Sequence, residues 1–176
     1  SRPFEVSQAE GEARMLKLEA TEAERAALAA SLEIPAIGSL RADLIVTEAG
    51  KGRFDVTGEV RARVTQICVV TLEDFESEVS EPVEISFAPP EVVERAETAY
   101  ASRREEDPTG LDMPEPPEPI ENGRIDLGWV AAEFLALGLD PYPRKPGVEF
   151  ESPEPQSEEP EKASPFAALA KLKQKP

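Results

Sequence analysis

Arg53-Phe54-Asp55-Val56-Thr57-Gly58-Glu59-Val60-Arg61-Ala62-Arg63-Val64-Thr65-Gln66 decides the fold class of this chain. Apolar Phe54, Val56, Val60, Ala62 and Val64 take even positions, while Arg53, Asp55, Thr57, Glu59, Arg61 and Arg63 take odd ones. Successive side chains of a strand point to opposite faces, so a period of two held this long predicts an antiparallel strand with one buried and one wet face. Working outward, residues 40–46 put Leu40, Ala42, Leu44 and Val46 on one face, and residues 75–87 do the same with Phe75, Val79, Val83, Ile85 and Phe87. Gly50-Lys51-Gly52 between the first two reads as a hairpin tip, since it lacks the spacing of a phosphate loop. Pro82 predicts an edge or a bulge, because proline has no N–H for the ladder. Residues 13–19 read as a further short strand.

Two helices are expected against this sheet. Thr21 and Glu24 stand at the capping-box spacing before an Ala- and Leu-rich run to Leu32, which Pro35 ends. Asp126 is placed to cap a second helix near 126–137, where Leu127, Val130, Ala131 and Phe134 recur at helical spacing before Gly138. Residues 139–147 then read as extended. The expected class is α+β: an antiparallel β-meander sheet with an N-terminal helix and a second helix near 126–137, plus a disordered acidic insert and tail.

Charge and proline mark out the insert. The 176 residues hold 36 acids and 19 bases, a net charge of −17, and 18 prolines, of which only Pro3, Pro35 and Pro82 precede position 89. Residues 89–123 alone carry ten acids and three bases. Proline removes donors and like charges repel, so this acidic Pro-rich insert is expected not to pack, although Glu91–Arg104 contains helix formers and reads as a frayed helix or as coil. The expected organisation is one domain over 1–150 and a tail over 151–176, with a short helix at 165–173 started by Ser164-Pro165. Phe166, Leu169, Ala170 and Leu172 give that tail the pattern of a segment that folds onto a partner or stays weakly ordered.

The chain has no histidine and one cysteine. That removes imidazole bases and ligands, intrachain disulfides and cysteine-cluster zinc sites. No catalytic constellation is found, and neither an enzyme activity nor a cofactor, metal or small-molecule substrate is expected. No apolar run reaches the ~20 residues of a membrane helix, so a cytoplasmic protein without membrane contact is expected. Cys68 reads as a small apolar side chain at a tight connection. Arg41, Arg53, Arg61 and Arg63 share the wet face of the sheet. They read either as a nucleic-acid stripe or as cross-strand ion pairs. If the apolar positions of 53–66 and 75–87 coincide, Arg61 faces Glu78 and Arg63 faces Glu76.

Cys68-Val69-Val70-Thr71-Leu72-Glu73-Asp74-Phe75 and Ile120-Glu121-Asn122-Gly123-Arg124-Ile125-Asp126-Leu127-Gly128-Trp129-Val130-Ala131-Ala132-Glu133-Phe134-Leu135-Ala136-Leu137-Gly138-Leu139-Asp140-Pro141-Tyr142-Pro143-Arg144-Lys145-Pro146-Gly147 together resemble the YceD family of bacteria and plastids, in its alphaproteobacterial form. The resemblance is specific over about 60–150 and looser before it. It implies a ribosome biogenesis factor that supports accumulation of 23S rRNA and assembly of the large ribosomal subunit. The implied partners are a large-subunit ribosomal protein or the 23S rRNA precursor. Some relatives carry Cys-x-x-Cys at the first motif and further cysteines after the helix. Here Thr71 takes the second position and no cysteine follows Leu137, so a metal site is not carried over. The matching motif positions are Cys68, Asp126, Leu127, Glu133, Pro141, Tyr142, Pro143 and Arg144. The candidate partner-binding residues are Arg61, Arg63, Tyr142, Arg144 and Lys145, because tyrosine stacks on bases and arginine forks to phosphate. The competing reading of 139–147 is a strap that ties the helix to the sheet.

Overall fold

The period-two pattern forms three long strands, β3 (Ala36–Gly50), β4 (Arg53–Ile67) and β5 (Asp74–Ala88), of 15 residues each. In the computed structural model, which describes residues 1–106 and 115–149, these follow a short β1 (Pro3–Glu5), a 3-10 turn and β2 (Arg14–Glu19). Helix α1 (Glu22–Ser31) links β2 to β3, and α2 (Pro90–Glu106) follows β5. Then come β6 (Glu118–Pro119), β7 (Arg124–Asp126) and α3 (Leu127–Leu137). The five-stranded sheet has the order β2-β3-β4-β5-β6, antiparallel except for β6, and β1 pairs separately with β7. The class is α+β with an antiparallel meander. Ser1–Pro146 forms one compact unit. The expected tail helix at 165–173 lies outside the described residues.

One face of the sheet carries the core. Leu44, Val46, Val56, Val60 and Val64 are almost wholly enclosed, and Ile125, Leu127, Val130 and Leu135 close over them from β7 and α3. Burial of such side chains is worth about 1.5–3 kcal/mol each. Helix α1 covers the β3 side through Ala29, with Leu28 and Leu32 half-buried. Its capping box is complete: Thr21 accepts from the Glu24 amide and the Glu24 carboxylate accepts from the Thr21 amide at 2.8 Å. The Arg2 guanidinium, 2.7 Å away, leads the contacts that hold the Glu24 carboxyl at about 2.

The β4–β5 register differs from the expected one by two residues. Arg63 faces Glu78 and Arg61 faces Ser80. The connection sets this register. The Cys68 amide donates to the Glu73 carbonyl at 2.9 Å, and the Leu72 amide to the Cys68 carbonyl at 2.9 Å, with Leu72 at φ 60°. That closure pairs Ile67 with Asp74 and fixes every later pair. A slip of two keeps each side chain on its face, so the apolar pattern alone does not separate the two registers. Pro82 lies opposite Glu59 in an uninterrupted ladder and marks an edge: among the described residues β5 has a second neighbour only at Phe87 and Ala88, through β6.

The acidic insert is ordered at both ends. Of the two readings of Glu91–Arg104, the helix is the one present, as part of α2, with Val93 buried. At the other end Pro117 and Ile120 are buried, and the Ile120 amide donates to the Ala88 carbonyl at 2.9 Å. Proline does not prevent this, because a two-residue edge strand needs few donors. Residues 107–114 lie outside the described residues.

Candidate functional site

The two sequence motifs meet at one tip of the sheet. The tight turn 68–73 joins β4 to β5, and the segment 138–146 runs past it from the end of α3. Four bonds fix that strap. The Val69 amide donates to the Pro143 carbonyl at 2.9 Å, and the Lys145 amide to the Cys68 sulfur at 3.4 Å. The Gln66 side-chain amide donates to the Asp140 carbonyl at 3.2 Å, and Lys145 Nζ lies 3.0 Å from the Glu73 carboxylate. Asp140 in turn accepts from the Tyr142 amide at 2.8 Å, which bends the chain at Pro141.

Cys68 is fully enclosed. The Thr71 hydroxyl, then the Lys145 and Thr71 amides, favour its thiolate; burial opposes them, the Val70 amide adds to them, and the thiol is lowered to about 6. An enclosed sulfur does not reach a substrate. Its work is to accept bonds that hold the strap. Among the described residues no group of three cysteine, aspartate or glutamate side chains is placed to hold a metal.

Tyr142, Arg144, Lys145, Pro143 and Cys68 are thus brought together. Tyr142 is 72% exposed and Arg144 is exposed, whereas Lys145 is engaged by Glu73. Exposed Ile67, Val69, Leu72 and Leu137 add an apolar surface to this tip. Pro141 is exposed and Pro143 half-buried.

Arg61 and Arg63 do not join them. They stand on the wet face of the sheet among carboxylates. Arg61 contacts Glu59 and lies 3.9 Å from Asp43, Arg63 lies 3.8 Å from Glu78, and Arg41 lies 3.2 Å from Glu19. The Ser80 hydroxyl, with Arg61, holds the Glu59 carboxyl below its ordinary value. Asp126 and Leu127 occupy the far end of α3. Burial raises the Asp126 carboxyl, but bonds from the Arg2 amide, the Ser1 side chain and the Trp129 and Gly128 amides outweigh it and lower it. Asp126 Oδ1 accepts from Arg2 N at 2.7 Å, Gly128 N at 2.9 Å and Trp129 N at 3.2 Å, so this cap also anchors the N-terminal segment. Leu127 is buried below it, and Glu133 is exposed on α3.

The sequence reading passed over Gln66. Among the described residues it is the one buried polar side chain, and its oxygen accepts from the Ser77 hydroxyl at 2.8 Å. A lone amide at an inward position of an apolar strand is the signal that marks it, because a buried amide needs partners.

The model of one protein family, described as "Large ribosomal RNA subunit accumulation protein YceD", matches residues 56–173, about two thirds of the chain. That span takes in most of β4, the tip and α3. The chain shows no significant similarity to any curated protein or to any solved structure.

Proposed function

Because the chain belongs to the YceD family of large ribosomal RNA subunit accumulation proteins, we propose that it is a non-catalytic assembly factor that holds a basic large-subunit ribosomal protein in the cytoplasm until incorporation. The observation that carries this reading is the wet face of the sheet. Arg41, Arg61 and Arg63 each stand against a carboxylate, so three of the four arginines of the row are paired rather than offered to phosphate. With a net charge of −17, the surface suits a cationic partner better than bare RNA. No helix among the described residues is long and apolar enough to cross a membrane.

A second reading has its own support. Tyr142 and Arg144 project from a strap tied down on both sides, which is the rigid stacking and phosphate-forking pair of an RNA contact. Affinity capture of the full chain from growing cells, with and without RNase, separates the two. Large-subunit proteins kept after RNase support the first reading, and their loss supports the second. Depletion is expected to lower mature large-subunit RNA, and unchanged precursor and mature levels would refute both.

A further inference from the structure

Among the described residues, strand β5 has an open side. Its ladder to β4 runs from Asp74 to Phe87, while on the other side β6 engages only Phe87 and Ala88. In an antiparallel pair, residues alternate between exchanging hydrogen bonds with the partner and turning both N–H and C=O away. Pro82 fixes which is which. It interrupts nothing opposite Glu59, so its nitrogen faces away from β4, and so do the backbone groups of all even-numbered residues. Ala88 agrees in parity, its carbonyl accepting from Ile120 on the open side. The amides of Glu76, Glu78 and Ser80 therefore point outward beyond the sheet.

A cleft of about 420 Å³ lies along this stretch, lined by Phe75 through Val79 of β5 with Gln66 of β4 on one side, and by Gly138, Asp140, Pro143, Arg144 and Pro146 of the strap on the other. A face alone shows alternate residues, so five consecutive ones place the cleft at the β5 edge, and Gln66, paired with Phe75, shows that it also opens onto the inward face of the sheet. Pro82 blunts the middle of the edge, as proline commonly does, but the run beside the cleft keeps its donors. The charge of the edge selects its guest. Strand β5 holds Asp74, Glu76, Glu78, Glu81 and Glu84 and no base, and of these Glu78 alone is in an ion pair with another described residue.

We propose that the β5 edge at Phe75–Ser80 receives an extended segment of the basic partner as an added strand, lysine or arginine alternating with apolar residues. This rests on the basic-protein reading above and names the surface that serves it. Main-chain bonds would give affinity and the glutamates would choose cationic side chains over acidic ones.

The test uses the full chain and two synthetic nonapeptides, one alternating lysine with valine and one alternating glutamate with valine. The lysine peptide is expected to bind and to slow amide hydrogen exchange at Glu76, Glu78 and Ser80, and the glutamate peptide to do neither. Glu78→Pro removes an outward donor without touching the β4 ladder, as Pro82 already does, and is expected to weaken the lysine peptide on the order of tenfold. Equal binding to the variant, or exchange slowed only elsewhere, overturns the proposal. The wild-type exchange pattern decides even where the variant does not fold. The capture experiment reports separately: large-subunit proteins kept after RNase by a chain whose edge amides stay unprotected would sink the strand-addition proposal and leave the assembly role standing.

Discussion

At the scale of single residues, Cys68 ties the tip together as a sulfur acceptor. Thr71 and Lys145 are the first of the groups that bring its thiol from the usual 9.0 down to about 6. The sign of the linkage follows: the folded thiol loses its proton more readily than the unfolded one. Its contribution to stability is full above the unfolded value, shrinks as pH falls and is gone below about 6. The ultraviolet absorbance of the thiolate in the folded chain should titrate with a midpoint near 6, absent in Cys68→Ser. A midpoint at the ~8.5 of a free cysteine would show that these donors do not act on the sulfur. Only the enclosed position of Cys68 could be read from its neighbours. The donor from Lys145 lies 77 positions away, and no local pattern announces it. Gln66 is the opposite case, legible because an amide interrupts an inward apolar set.

Elements were legible where their cause is local. The Thr21–Glu24 box and the Asp126 cap sit where residue type and spacing place them, and the alternation in 53–66 yields β4. Strand β3 begins earlier than the expected 40–46, because an irregularity between Ile37 and Ser39 moves the buried positions from odd to even and breaks the alternation. The short β1, β6 and β7 escape sequence reading altogether, since two or three residues show no period and Phe4 finds its partner in distant Ile125. Gly58 leaves a gap in the apolar row of β4. It has φ 150°, and a Cβ there would lie 2.0 Å from the Asp43 carbonyl oxygen of β3. Both the backbone conformation and the close approach exclude a side chain. Gly58→Ala is expected to destabilise the fold by about 3 kcal/mol or more, measured by denaturant unfolding. An unchanged midpoint would mean that β3 and β4 can part at that point without loss.

Across the whole molecule, charge governs what approaches. At about 0.1 M salt the screening length is roughly 10 Å, and at 1 M it is about 3 Å. Capture of a basic protein by this chain should therefore weaken steeply over that range in a salt titration, while binding to unrelated RNA should stay undetectable at the lower end. Strong RNA binding at low salt would show that Arg144 and its neighbours outweigh the carboxylates. The net charge itself was legible, but its pairing was not, because Arg63 meets Glu78 only through a register that the turn decides. One feature reaches beyond the finished fold into its making. The Arg2 amide waits for the Asp126 cap, 124 positions later in the chain. At roughly 5–20 residues per second of synthesis, the first residues emerge about 6–25 s before their partner exists. Strands β2 to β5 can zip in sequence during that interval with α1 over the β3 side, yet the part of the apolar face that α3 covers stays bare until α3 leaves the exit tunnel. Folding of this chain therefore ends with a late latch, closed across nearly its whole described length by residues made last.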